Sequence, residues 1–147
     1  MRILIVEDEA LIAMALGECL EGAGHLVTGP ASTMAEALAL CEGLPPELAL
    51  LDVNLADGSD GVDVACALME RWGVPSIFAS GGMMEARQAR RAREIALGSI
   101  RKPYGIDTVL RSVEVAREVK SGRAPRQVPA GMELFSAAER SLLVPGM

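Results

Sequence analysis

A chain of 147 residues and 15.5 kDa, half of it hydrophobic but only 3% aromatic, is long enough for one aliphatic core and suits a layered α/β protein. Its net charge of -6 and pI near 4.8 argue against nucleic acid as a partner. No apolar run approaches the roughly 18 residues of a membrane span. The charge is uneven, because residues 1–80 carry 13 acids against 2 bases and the remainder 7 against 12. Cys19, Cys41 and Cys66 are odd in number, lack metal-like spacing and follow no secretion signal. They fit reduced, buried thiols in a cytoplasmic protein.

Residues 2–6 are continuously apolar and predict a strand buried on both faces. Leu11, Ile12, Ala15, Leu16 and Leu20 recur at helical spacing, and Gly22 and Gly24 end that helix. A second strand is expected over 25–29. Ser32 or Thr33 then caps a helix carrying Met34, Ala37, Leu38 and Cys41, which stops at Gly43 and Pro45. Strand 48–52 leads into a Gly/Asp loop and a third helix ending near Trp72-Gly73. Strand 75–79, an Arg-rich helix over 83–96, strand 99–101 and a last helix over 107–120 complete the alternation. Five βα units with short connections predict one parallel sheet covered by helices on both faces, the doubly wound α/β class. Ser121-Gly122-Arg123-Ala124-Pro125 reads as a helix stop and linker. Ser136-Ala137-Ala138-Glu139 reads as a capping box opening a short helix over 136–143.

The stretch Leu50-Leu51-Asp52-Val53-Asn54 ends a buried strand on a carboxylate, at the edge where open α/β sheets bind ligands. Glu7-Asp8-Glu9, Ser80 and Lys102-Pro103 follow three other strands and are expected to converge on it. Glu7, Asp8 and Asp52 would repel one another unless a cation sat among them, and hard oxygen ligands suit Mg²⁺. Acids at strand ends are by themselves merely solvated. The addition of Ser80 and Lys102 changes that reading. A lysine ammonium is a point charge for a phosphoryl oxygen, and a hydroxyl donates to another. Asp52 then reads as a nucleophile that forms an aspartyl phosphate, with catalysis coming from positioning and charge neutralisation.

The residues Ile3-Leu4-Ile5-Val6-Glu7-Asp8-Glu9, Leu50-Leu51-Asp52-Val53-Asn54, Ser80 and Lys102-Pro103, in this order and at these separations, resemble the response-regulator receiver domain of bacterial two-component systems over residues 1 to about 120. The resemblance implies a flavodoxin-like five-stranded sheet of order 2-1-3-4-5, with a receiver domain over 1–121 and a tail over 122–147. It implies that Asp52 takes a phosphoryl group from a histidine kinase or histidine phosphotransferase. Glu7, Asp8, Asp52 and the main-chain carbonyl of Asn54 would hold Mg²⁺, and Ser80 and Lys102 would contact the phosphoryl group. Such a protein is a signalling switch that catalyses only its own phosphorylation and dephosphorylation.

Two departures stand out. Phe78-Ala79-Ser80-Gly81 is similar to a receiver subgroup with a Phe-Ala-Thr-Gly signature, often found as stand-alone regulators. Ser99 stands where receivers usually carry the Tyr or Phe that acts as a rotamer switch, and Tyr104 places an aromatic elsewhere. Activation is therefore expected to run through residues 81–96, where Gly81-Gly82 lend backbone freedom. Arg87, Arg90 and Arg91 share one helical face. A solvated face is the plain reading. The functional one is a docking surface for a downstream protein, extended by Arg101, Arg111 and Arg117 towards the last helix.

A phosphorylation-independent, receiver-like binding scaffold is the alternative, favoured by Ser99 and Gly82. A flavin protein would want a phosphate loop where Glu7-Asp8-Glu9 stands, and a phosphohydrolase a second acid where Asn54 stands. Residues 52–58 imitate a calcium loop, but the glycine is one place late. His25, the sole histidine, is expected to be structural.

Overall fold

The structure, a computed structural model, describes residues 1–135 except 56 and 83. The expected helix over 136–143 lies outside the described residues. Eleven elements follow one another: β1 (Arg2–Val6), α1 (Ala10–Gly22), β2 (Leu26–Ala31), α2 (Met34–Cys41), β3 (Leu48–Asp52), α3 (Gly61–Trp72), β4 (Ser76–Ser80), α4 (Ala86–Ile95), β5 (Gly98–Arg101), α5 (Ile106–Lys120) and β6 (Met132–Leu134).

The sheet order is β2-β1-β3-β4-β5-β6. The expected order of the first five strands holds, and all four pairings among them are parallel. The expected count of five strands is corrected to six, because β6 pairs antiparallel with β5. A run of three residues after a Gly/Pro-rich linker has too little pattern to announce a strand. The Arg-rich helix is shorter than expected, starting at Ala86 rather than residue 83.

The continuous apolar runs of β1 and β3 are explained by burial on both faces. Leu4, Val6, Ala49 and Leu51 face a core completed by Ala37, Cys41, Val62, Leu68 and Ala92 of α2, α3 and α4. Ile3, Ile5, Leu48 and Leu50 face the opposite core, completed by Leu16 and Leu20 of α1 and Val113 and Ala116 of α5. The alternation of side chains along each strand thus feeds two cores. Thr33 caps α2 by accepting from the Glu36 amide at 3.2 Å. Cys41 is buried as expected, whereas Cys19 and Cys66 are half-buried; all three are free thiols. His25 is buried ahead of β2, with Nδ1 3.1 Å from the N-terminal amine. Among the described residues no helix is long and apolar enough to cross a membrane.

Candidate functional site

Strand register brings the polar residues together. Val6 pairs with Leu51, so Glu7, the next residue, stands level with Asp52. Asp52 pairs with Ala79, which puts Ser80 one step beyond it, and Ser80 pairs with Arg101, which puts Lys102 one step further. All of them sit at the C-terminal edge of the parallel sheet, the edge used for ligands in open α/β folds.

One carboxylate oxygen from each of Glu7, Asp8 and Asp52 lies within 4.8 Å of the others. The Lys102 ammonium bridges two of these acids, donating to Glu7 Oε1 at 2.9 Å and to Asp52 Oδ2 at 3.2 Å. These side chains are only 17% (Lys102), 3% (Glu7) and 14% (Asp52) exposed. Burial pushes the Glu7 carboxyl up to about 7, and the neighbouring Asp52 adds to the shift while Lys102 opposes it. Burial also works against the Lys102 charge, yet Glu7 and Asp52 outweigh it and hold the ammonium above its ordinary value. A concentration of carboxylates with one lysine between them is a site short of positive charge. Its oxygen-only donors fit a hard divalent cation.

The loop after β3 orients the central acid. Asp52 Oδ1 accepts from the Asn54 amide at 3.1 Å. Asn54 forms an isolated bridge with Asp60, and the Asp60 carboxylate caps α3 by accepting from the Val62 amide at 2.8 Å. Gly61, at the first turn of α3, has no room for a side chain, since a Cβ there would collide with the Asp52 carbonyl oxygen. Its N–H donates to the Val53 carbonyl at 2.7 Å. Gly61 is thus a positioning residue that sequence reasoning passed over. Its one signal was a glycine at the head of a helix just after the strand-end acid. Gln88 of α4 was also missed; it donates to Asp60 Oδ1 at 2.9 Å and links α4 to this loop.

Ser80 ends β4 beside the cluster, but its hydroxyl donates to the Gly82 carbonyl at 2.8 Å rather than to an acid. Lys102-Pro103 is cis. Ser99 lies in mid-β5 against a cavity of about 210 Å³ shared with Ser80, Arg101 and Glu133. Tyr104 packs on the other side of the sheet, over Leu16 and Val109. Of the arginine face, Arg87 and Arg90 are exposed. Arg91 is instead paired with Asp63 of α3 at 2.7 Å, so it does not act with them as a free trio.

Residues 3–114 match the family model described as the response regulator receiver domain. Among curated relatives, the phyllosphere-induced regulator PhyR of Methylorubrum extorquens is 49% identical over 78 residues, which is 52% of this chain and 29% of PhyR. The transcriptional regulatory protein PdtaR of Mycobacterium tuberculosis is 33% identical over 116 residues, 78% of this chain and 56% of PdtaR. The chain therefore spans little more than half the length, at most, of these relatives. In structure it is similar to the signal receiver domain of a modulated diguanylate cyclase from Desulfovibrio desulfuricans. That likeness has a TM-score of 0.74 at 34% identity and covers 82% of this chain and 95% of the other.

Proposed function

We propose, from the premise that this chain belongs to the response regulator receiver family, that it is a phosphorylation-operated switch with Asp52 as phosphoacceptor. The observation that carries the reading is the Asp52 carboxylate held between Lys102 and the Asn54 amide, beside Glu7 and Asp8. Glu7, Asp8, Asp52 and the Asn54 carbonyl would hold Mg²⁺, which when bound offsets charge on the phosphoryl oxygens.

The remaining steps belong to the chain's own groups. Asn54 N–H and Lys102 fix Asp52 so that one carboxylate oxygen faces the incoming phosphorus. That oxygen attacks the phosphorus of a phosphohistidine, the P–N bond breaks, and the imidazole nitrogen leaves and takes a proton. Lys102 then shifts from Asp52 to a phosphoryl oxygen as a point charge. Ser80 releases Gly82 and donates to another, which loosens the segment leading into α4. The donor, a histidine kinase or histidine phosphotransferase, meets an apolar rim at Leu11 and Met14, both exposed on α1 directly after the acidic turn. Arg87 and Arg90 serve a downstream protein partner.

The test is intact mass after incubation with phosphoramidate and Mg²⁺. A labile gain of about 80 Da, one HPO₃ on a carboxylate, that is absent in Asp52→Ala supports the reading. An equal gain in Asp52→Ala would sink it. No gain from phosphoramidate or from a mixture of histidine kinases would leave the phosphorylation-independent scaffold.

A further inference from the structure

Helix α4 starts without a side-chain cap and buries only Ala92, so polar contacts carry a large share of its placement. Two of them, one turn apart, reach the N-terminal end of α3. Gln88 Nε2 donates to Asp60 Oδ1 at 2.9 Å, and Arg91 donates to Asp63 Oδ1 at 2.7 Å. They differ in kind. Arg91–Asp63 is a surface ion pair whose side chains are 38% and 52% exposed, and such pairs add little net stability. Gln88 and Asp60 are both half-buried. A carboxylate accepts only from the amide nitrogen, so the partner fixes how Gln88 points.

Through Asp60 this contact reaches the acceptor site. The same Oδ1 accepts from the Val62 amide at 2.8 Å and opens α3. The Asp60 backbone lies opposite Asn54. It is clamped there by Leu55 N–H to the Ser59 carbonyl at 3.2 Å and by Gly61 N–H to the Val53 carbonyl at 2.7 Å. Asn54 in turn donates to Asp52 Oδ1 at 3.1 Å. A continuous path thus runs from Gln88 through Asp60 and Asn54 to Asp52. It does not pass through Ser80, whose hydroxyl is engaged with Gly82.

We infer that Gln88 is a positioning residue for the acceptor site. From α4 it holds the Asn54 backbone where its amide orients Asp52 and its carbonyl is offered to the cation. The inference rests on the receiver reading of Asp52 and adds that a shift of α4 is felt at Asn54 without passing through Ser80. Coupling of this kind is reciprocal. Mg²⁺ beside Asn54 therefore steadies α4, and withdrawal of α4 weakens the hold on Mg²⁺.

The test is calorimetric Mg²⁺ titration and amide exchange on the full chain without a phosphodonor, followed by phosphoramidate kinetics. Gln88→Ala should weaken Mg²⁺ binding about fivefold. It should also speed exchange at the Asn54 and Gly61 amides, both hydrogen-bonded within this loop. In the kinetics it should raise the half-saturating Mg²⁺ by the same factor, with little change in rate at saturation. Asp60→Ser keeps a cap for α3 but is too short to reach Gln88; it should act alike, and the two changes together should do no more. Gln88→Glu sets two carboxylates face to face and should be worse. Adding Asp60→Asn should rescue it, because the new amide caps α3 through its oxygen and donates to the introduced carboxylate through its nitrogen. Arg91→Ala removes the neighbouring contact and should leave Mg²⁺ binding unchanged. Unaltered affinity and exchange in Gln88→Ala would overturn the inference, as would an equal loss in Arg91→Ala or failure of the Asp60→Asn rescue. A wild type that gains no phosphoryl group, while Gln88→Ala still loosens Asn54, would sink the phosphoacceptor reading and leave the positioning role standing.

Discussion

Tyr104 buries a hydroxyl with no hydrogen-bond partner among the described residues, and burial raises its pKa to about 12. An unsatisfied buried polar group costs free energy that removing it restores. Tyr104→Phe should therefore leave stability unchanged or raise it by about 1 kcal/mol in urea unfolding. Because the chain has one tyrosine, an ultraviolet pH titration of the folded protein should place the tyrosinate midpoint near 12, well above that of a free tyrosine. Gly61 makes the opposite case. A methyl group there meets a backbone carbonyl that cannot rotate away, so Gly61→Ala should cost about 2 kcal/mol. It should also slow the proposed phosphorylation of Asp52 by moving its backbone, whereas substitution of the open Gly17 should do neither. The two residues differ in legibility. Tyr104 was noticed because it is aromatic and beside Lys102, but its lack of a partner is a property of packing. Gly61 carried the constraint without a side chain to signal it.

His25 joins α1 to β2 and is packed near the N-terminal amine and, from α5, Arg117 and Glu114. Burial lowers its pKa below 6.5; the amine and Arg117 lower it further, and Glu114 opposes. The unfolded state then binds more protons than the folded state just below pH 6.5, so stability present above that value is lost as pH falls through the folded pKa. Glu7, raised to about 7, contributes the opposite slope in the same range. The His25 contribution should therefore be read as the difference between thermal melts of the wild type and of His25→Asn across that range. Among the helices, α3 buries Val62, Val64, Ala65 and Leu68, while α4 buries only Ala92. Local opening costs least where few apolar contacts are made. The α4 amides should accordingly exchange faster than those of α3, and a phosphoryl mimic should change α4 first; equal rates would remove α4 from the switch. Helix existence was legible from periodicity, and the Thr33 cap from a hydroxyl three residues before Glu36. The short extent of α4 was not, because arginines keep helical spacing whether or not a core receives them.

At the scale of the molecule, the two cores lie either side of one sheet, and the candidate site occupies the edge where four strands end in register. The sequence by itself determined the doubly wound class, since unbroken aliphatic runs alternating with amphipathic segments leave few other ways to bury both strand faces. It also named the acids and the lysine, because charged residues directly after such runs have no place in the core and must gather at the sheet edge. Tertiary structure decided what no local pattern encodes. Pairing of β6 with β5 joins residues far apart in sequence and rests on the room left by Gly98 and on the burial of Met132 and Phe135 in the two cores. Tertiary contacts likewise decided which arginines remained available, through Asp63 of α3 for Arg91 and Glu133 of β6 for Arg93. Spacing along a helix sets which residues share a face, but the partner of a long charged side chain depends on what the fold carries to within reach.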